Sequence, residues 1–294
     1  MDVRRRGVVW FLVLAFGGAW PVWFVAYFGF GLSMADPLVQ VPTAFTPALA
    51  AIVVRKWVTR EGFADAGLRP RVRALWRWYV LALIAPAALT FATLGLAALL
   101  GFWSYERTSP WLLPGLMLLS VVLAPAYWGE EFGWTSYLRS RILPGRPGAA
   151  AWCTGLVWAV WHWPLPFVGY THFDHPLWTI PLWTVSFVLQ QVALSWLYRR
   201  SGSVWVPSLA HAGNNMVIGL VVGLLLVERG GVGEEAVILL TAAPLALACG
   251  LVWLRGRGGA DAQTGDAVRA GRLARSRTLR RNPAGTSQTW RNVT

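Results

Sequence analysis

The sequence predicts an all-α fold: a polytopic membrane bundle of about eight transmembrane helices. Three observations predict it. Hydrophobic residues make up 56% of the chain and charged residues only 13%. Apolar stretches of about 20 residues recur, each long enough to cross a bilayer core of about 30 Å at about 1.5 Å per residue. The basic residues fall in every second connection, as the positive-inside rule requires. Runs this long without two-residue alternation satisfy their backbone in lipid as helices and not as barrel strands.

The predicted spans are 8–30, 38–57, 77–102, 111–138, 149–169, 177–197, 204–227 and 236–254. The first follows Arg4–Arg6 and resembles a secretory signal in that respect, but its apolar region is too long for a signal core and no convincing small-x-small cleavage site follows it. It reads as an uncleaved anchor. The second and third spans are separated by the longest internal loop, about Val58 to Arg77, with Gly62, Gly67 and Pro70; it is expected to lie along the cytoplasmic surface. Arg139, Arg141 and Arg146 separate the fourth and fifth spans, and Arg199 and Arg200 close the sixth. All but Arg107 and Arg229 of the 26 Lys and Arg residues then share one side with both termini. The opposite connections carry Asp36, Glu106, Asp174, Glu228, Glu234 and Glu235. This pattern predicts a multi-pass integral membrane protein of a bacterial plasma membrane with both termini cytoplasmic.

Residues 1–254 read as one membrane domain. Residues 255–294, rich in Gly, Ala, Arg, Ser and Thr, hold too few large apolar side chains to offset their ordering entropy, and are expected to form a basic, disordered cytoplasmic tail. The net charge of +13 sits at membrane ends, where it sets topology and attracts anionic lipid; no nucleic-acid motif accompanies it. The 20 Trp residues read as interfacial anchors and packing residues. Cys153 and Cys249 fall in separate spans with no metal-ligand spacing and read as packing residues. No internal repeat is evident, which argues against an inverted-repeat transporter.

Against this apolar background Glu130 and Glu131 stand out, following the run from Trp111 to Trp128 and preceding a segment apolar enough to remain at membrane depth. An ionisable residue there marks a functional site by default. His162, His211 and Asn215 lie in similarly apolar surroundings. Counted along their helices, Glu130 lies roughly 12 Å, His211 roughly 10 Å and His162 roughly 20 Å from the cytoplasmic end. All can reach one water-filled cavity, expected to open to the cytoplasmic half of the bilayer. His211 and Asn215, four apart, leave one helix face, and so do Trp158 and His162, with Pro164 beyond as a kink. Taken singly these residues have plainer explanations: the glutamates as a helix end at the interface, a histidine as a hydrogen-bonded packing residue, and His172 and His175 as solvated loop residues beside Asp174. Together they fit peptide hydrolysis, with a carboxylate and an imidazole activating water and a His–Asn pair binding the oxyanion.

At these residues the chain resembles the CPBP family of intramembrane proteases, which includes the type II CAAX prenyl endopeptidases and bacteriocin-immunity-type members. The family pattern is Glu-Glu-x-x-x-Arg, Phe-x-x-x-His and His-x-x-x-Asn on successive helices. Here it reads Glu130-Glu131-Phe132-Gly133-Trp134-Thr135, Trp158-Ala159-Val160-Trp161-His162 and His211-Ala212-Gly213-Asn214-Asn215, within 111–220. The resemblance implies Glu130 as the base that activates water, His162 as its helper, and His211 and Asn215 as transition-state donors, with Glu131, Thr135 and Trp158 in support. Trp158 stands for the family Phe, and Thr135 for the family Arg, whose fixed charge a hydroxyl does not supply. Arg139, one turn on, is a candidate to replace it, and restoring arginine at 135 is expected to preserve or raise activity. The expected mechanism is metal-free. The alternative is a zinc ion on His162, His211 and a glutamate, although no H-e-x-x-H pattern is present. The expected substrate is a membrane protein or a lipidated peptide. The rival functions are a non-catalytic immunity or binding protein and a proton-coupled transporter. Deleting 255–294 is expected to leave the membrane domain's thermal stability in detergent unchanged; a large loss would show that the tail helps it fold.

Overall fold

The computed structural model of the chain describes residues 1–252 and residue 254; the tail expected over 255–294 lies outside them. Residues 1–249 form one compact unit. Eight helices, with no strand among the described residues, form an all-α polytopic membrane bundle: α1 (Val3–Gly29), α2 (Pro37–Val58), α3 (Val72–Leu99), α4 (Leu112–Ile142), α5 (Pro147–His162), α6 (Pro176–Ser201), α7 (Trp205–Glu228) and α8 (Glu234–Val252). Seven are long and apolar enough to cross a membrane. The exception, α5, has 16 residues. At about 1.5 Å per residue it falls short of a bilayer core of about 30 Å. The fifth span was expected to continue to residue 169. Instead the helix stops at His162, because Pro164 and Pro166 offer no amide protons to prolong it, and a short 3₁₀ turn, Leu165–Phe167, follows.

Local signals explain several other helix limits. Asp36 caps α2 by accepting from the Leu38 amide, with Pro37 in the first turn. Pro147 and Pro176 open α5 and α6 in the same way. Within the bundle α5 packs along α6, and α4 along α7. Glycines set two of the interhelical distances. A methyl group on Gly155 of α5 would lie 2.7 Å from Val188 Cα of α6, and one on Gly213 of α7 would lie 2.6 Å from Pro86 Cγ of α3. Small residues let membrane helices approach this closely. Many of the tryptophans pack inside: Trp23, Trp134, Trp158 and Trp161 are all buried. Trp23 and Trp161 meet edge to face at 4.7 Å, and Trp20 Nε1 donates to the Trp161 carbonyl at 3.0 Å.

The arginine-rich connections gather at one end of the bundle and lock together. Arg4 donates to the Arg141 carbonyl and Arg6 to that of Val58. The loop 59–71 is tucked against this end: Ser136 Oγ donates to the Ala66 carbonyl at 2.8 Å, Trp205 Nε1 to that of Leu68 at 2.8 Å, and Arg71 Nη2 to that of Ser201 at 3.0 Å. Asp65 joins two helices, accepting from Arg55 Nη1 of α2 at 2.7 Å and from Arg141 Nη2 of α4 at 3.0 Å. At the opposite end the loops after α1 and α5 are tied by a bond from the Met34 amide to the Val168 carbonyl at 2.8 Å.

Burial of Asp65 favours its protonated form, but the bond and charge of Arg55, joined by those of Arg141, outweigh it and hold the carboxyl below its ordinary value. A depressed carboxylate contributes stability above its unfolded value of about 3.9, which is lost as pH falls through the folded value. Asp65→Asn is therefore expected to lower the melting temperature in detergent at neutral pH, with the gap from wild type closing as acid protonates Asp65. A gap that stays constant down to that pH would show the clasp to be without charge.

Candidate active site

The two glutamates sit at the end of the regular part of α4, where it passes into a π-helical run, Phe132–Leu138. A second π segment, Asn214–Gly219, begins three residues after His211 in α7. Such segments widen the helix by one residue per turn, rotate the side chains beyond, and are frequent at functional sites. Here both follow directly on the polar positions that the sequence singles out.

Consecutive helical residues do not face the same way, and the two carboxylates separate accordingly. Glu130 lines a cavity of about 640 Å³, together with His162, His211 and Asn215. Its Oε2 accepts from Trp158 Nε1 at 2.7 Å and lies 4.0 Å from His162 Nε2. His162 Nδ1 lies 2.9 Å from the Trp158 carbonyl one turn earlier. A carbonyl can only accept, so Nδ1 carries the proton, and in the neutral ring Nε2 presents its lone pair toward Glu130. Phe187 packs against the imidazole, its centroid 4.3 Å away.

Glu131 is fully buried and turned away from the cavity. Its Oε1 pairs with His211 Nδ1 at 2.9 Å, and its Oε2 accepts from Thr135 Oγ1 at 2.6 Å. Gln191 Nε2 of α6 donates to Thr135 Oγ1 at 2.9 Å and to Ser195 Oγ at 3.1 Å. Tyr127, one turn before Glu131, stacks on His211 with centroids 4.7 Å apart and also lines the cavity. Asn214 Nδ2 donates to Asn215 Oδ1 at 3.3 Å, which orients the Asn215 amide.

Thus Glu130, His162, His211 and Asn215 share one cavity, while Glu131, Thr135 and Trp158 stand behind it. Arg139 does not take the place of the family arginine: its Nε donates to the Thr135 carbonyl at 3.0 Å, and its guanidinium lies over the Tyr198 ring at 5.2 Å. His172 and His175 are in the connection between α5 and α6, and His172 pairs only with Asp174, both exposed. The sequence reading missed Gln191, Gln190 and Tyr127. Two adjacent amides in the apolar run of α6 were a signal, since polar side chains at that depth are expensive; nothing in the sequence marks Tyr127.

The cavity was expected to open toward the arginine-rich face. Its lining instead includes Met34, Gln40, Tyr170, Thr171, Phe173 and Glu234, at the arginine-poor end. Two features account for this. The clasped loop 59–71 closes the arginine-rich end, and α5 stops at His162, leaving the opposite end open. His162 and His211 both commit Nδ1 to protein groups and keep Nε2 toward the cavity. Among the described residues no three His, Cys, Asp or Glu side chains are arranged to hold a metal.

No curated protein matches the chain. Residues 109–217, from just before α4 to just past Asn215, match the family model for the type II CAAX prenyl endopeptidases described as Rce1-like. This segment, which holds both glutamates, both site histidines and Asn215, is similar to the CAAX protease family of membrane endopeptidases.

Proposed function

We propose that the protein is an intramembrane endopeptidase in which Glu130 activates the attacking water. The observation that carries this reading is the pair formed by Glu130 Oε2 and His162 Nε2, 4.0 Å apart at the cavity wall. Two acceptors at that separation can both hold one water at ordinary hydrogen-bond distances of about 2.8 Å. Glu130 takes a proton from this water as its oxygen adds to the peptide carbonyl carbon. It then passes the proton to the leaving amine as the carbon–nitrogen bond breaks. Trp158 fixes the carboxylate by its Nε1 bond. His211, as an imidazolium with Nδ1–H donating to Glu131, presents Nε2–H to the oxyanion, and Asn215 supplies a second donor. The chemistry is metal-free in this reading, with no cofactor.

The substrate is a membrane protein segment or a lipidated peptide, received in a cavity whose walls include Leu123, Trp183, Phe187 and Ile238. The arginine-rich end faces the cytoplasm of a bacterial cell and meets anionic lipid. On that orientation the scissile bond reaches Glu130 from the opposite half of the bilayer.

Glu130→Gln keeps the shape of the side chain but cannot accept the proton, so cleavage of a membrane peptide by purified protein should fall by orders of magnitude while the protein still inserts and folds. His211→Ala and Asn215→Ala should each cost roughly 10²–10³ in rate. Chelators should leave the rate unchanged; loss restored by zinc would favour the metal mechanism. Equal cleavage by wild type and Glu130→Gln would refute Glu130 as the base; no cleavage by purified protein, with the cellular phenotype unchanged in Glu130→Gln, would refute the protease reading and leave the cavity to binding or transport.

Topology is tested separately. Reporter fusions after residue 254 and within 170–176 are expected to report opposite sides of the membrane, the former cytoplasmic. The same side for both would overturn the count of spans.

A further inference from the structure

Gln191 is fully buried in the apolar bundle, yet it lines no part of the cavity. Its amide reaches Thr135 Oγ1 at 2.9 Å and Ser195 Oγ at 3.1 Å. A buried glutamine at membrane depth is costly, so its two bonds call for a reason. Because Gln191 Nε2 can only donate, Thr135 Oγ1 accepts from it, and the one proton of the hydroxyl is left for Glu131 Oε2 at 2.6 Å. The other oxygen of Glu131 meets His211 Nδ1 at 2.9 Å. The bonds thus run in one direction, from the amide to the hydroxyl to the carboxylate, and end on a histidine that lines the cavity.

We propose that Gln191 is a positioning residue: through Thr135 it fixes the Glu131 carboxylate and hence the His211 ring, a neutral relay in place of the arginine charge that this helix position lacks. The proposal rests on the endopeptidase reading for its kinetic consequences, but the geometry it asserts stands apart from catalysis. Three features support it. Thr135 has no exposed surface, and Gln191 packs directly on its hydroxyl, so the pair fills one site from two helices. Arg139, the nearest cation, is spent on the Thr135 backbone carbonyl and the Tyr198 ring. Neither Gln191, Thr135 nor Glu131 lines the cavity, so the relay acts on the position of His211 and not on substrate contact. Arginine at 135 would need the volume that Gln191 occupies. The single replacement Thr135→Arg is therefore expected to lose activity, contrary to the expectation from sequence.

The test uses Gln191→Met, close in size but without a donor, Thr135→Val, isosteric without the hydroxyl, Thr135→Ser, which keeps it, and the double variant Thr135→Val/Gln191→Met. All are made in the full chain, with folding checked by thermal melting in detergent. Losing the hydroxyl's bond to the Glu131 carboxylate should lower kcat by about ten- to a hundredfold in Thr135→Val, and losing the neutral amide–hydroxyl bond by about two- to tenfold in Gln191→Met, with KM unchanged. Thr135→Ser should recover most of the rate. The double variant should be no slower than Thr135→Val alone, because Gln191 acts through Thr135. Nitrogen-15 NMR of histidine-labelled protein gives a readout independent of cleavage: Gln191→Met should shift the His211 ring resonances and leave those of His162 in place. A wild-type kcat in Gln191→Met, losses that multiply in the double variant, or an unmoved His211 signal would each overturn the relay. If wild type cleaves no membrane peptide, the endopeptidase reading fails, and the His211 resonance still decides whether the relay exists.

Discussion

Two carboxylates on consecutive residues of a membrane helix pose a constraint that shapes the surrounding bundle. Neighbouring positions on a helix point in different directions, so no single partner or pocket can serve both. Each acid must be satisfied where it lies, at a depth where an unpaired charge costs several kcal/mol or more. Glu130 faces the cavity and takes the Trp158 indole; Glu131 faces the helix interface and takes Thr135 and His211. Satisfying both draws in α5, α6 and α7 around α4. The close crossing at Gly155 brings α5, which bears Trp158, against α6, which bears Gln191.

Trp158 and Thr135 share a physical character. The Trp158 indole N–H is the donor to Glu130 at 2.7 Å. The Thr135 hydroxyl is the donor to Glu131 at 2.6 Å. Both serve the glutamates with neutral donors. A buried guanidinium demands several well-placed acceptors to offset its desolvation. An indole and a hydroxyl demand far less. The cost appears instead on α6, where a second side chain, Gln191, is needed to direct the hydroxyl.

What could be read from the sequence follows the range of the interaction behind each feature. The all-α class and the number of helices depend on local composition, and these were legible. The motif residues lay in sequence order on α4, α5 and α7, so their convergence could be anticipated by counting depth. The end of α5 was misjudged because Trp163–Val168 is apolar and satisfies any hydropathy window; Pro164 was read as a kink, whereas Pro164 with Pro166 ends the helix. Gln191 was overlooked because its partner lies 56 residues away on another helix. The direction in which the cavity opens was beyond reach for a similar reason. It depends on whether the loop 59–71 folds under the bundle, and that is decided by Asp65 meeting arginines from two separate helices.

The closed and open ends are physically linked. The clasp of Asp65 with Arg55 and Arg141 holds α2 and α4 together just beyond the π-helical run. Ser136, within that run, is tied to the same loop through the Ala66 carbonyl. The segment that sets the direction of Thr135 is thus anchored to the sealed end, one turn from Glu131. At the other end nothing of this kind encloses Glu130 and His162, because α5 has already stopped. On the proposed mechanism Glu130 exchanges protons with water and needs such access, whereas Glu131 only orients a histidine and is better kept from it. The fold separates these demands by placing adjacent glutamates on either side of one boundary, with water-accessible volume before it and interlocked side chains behind.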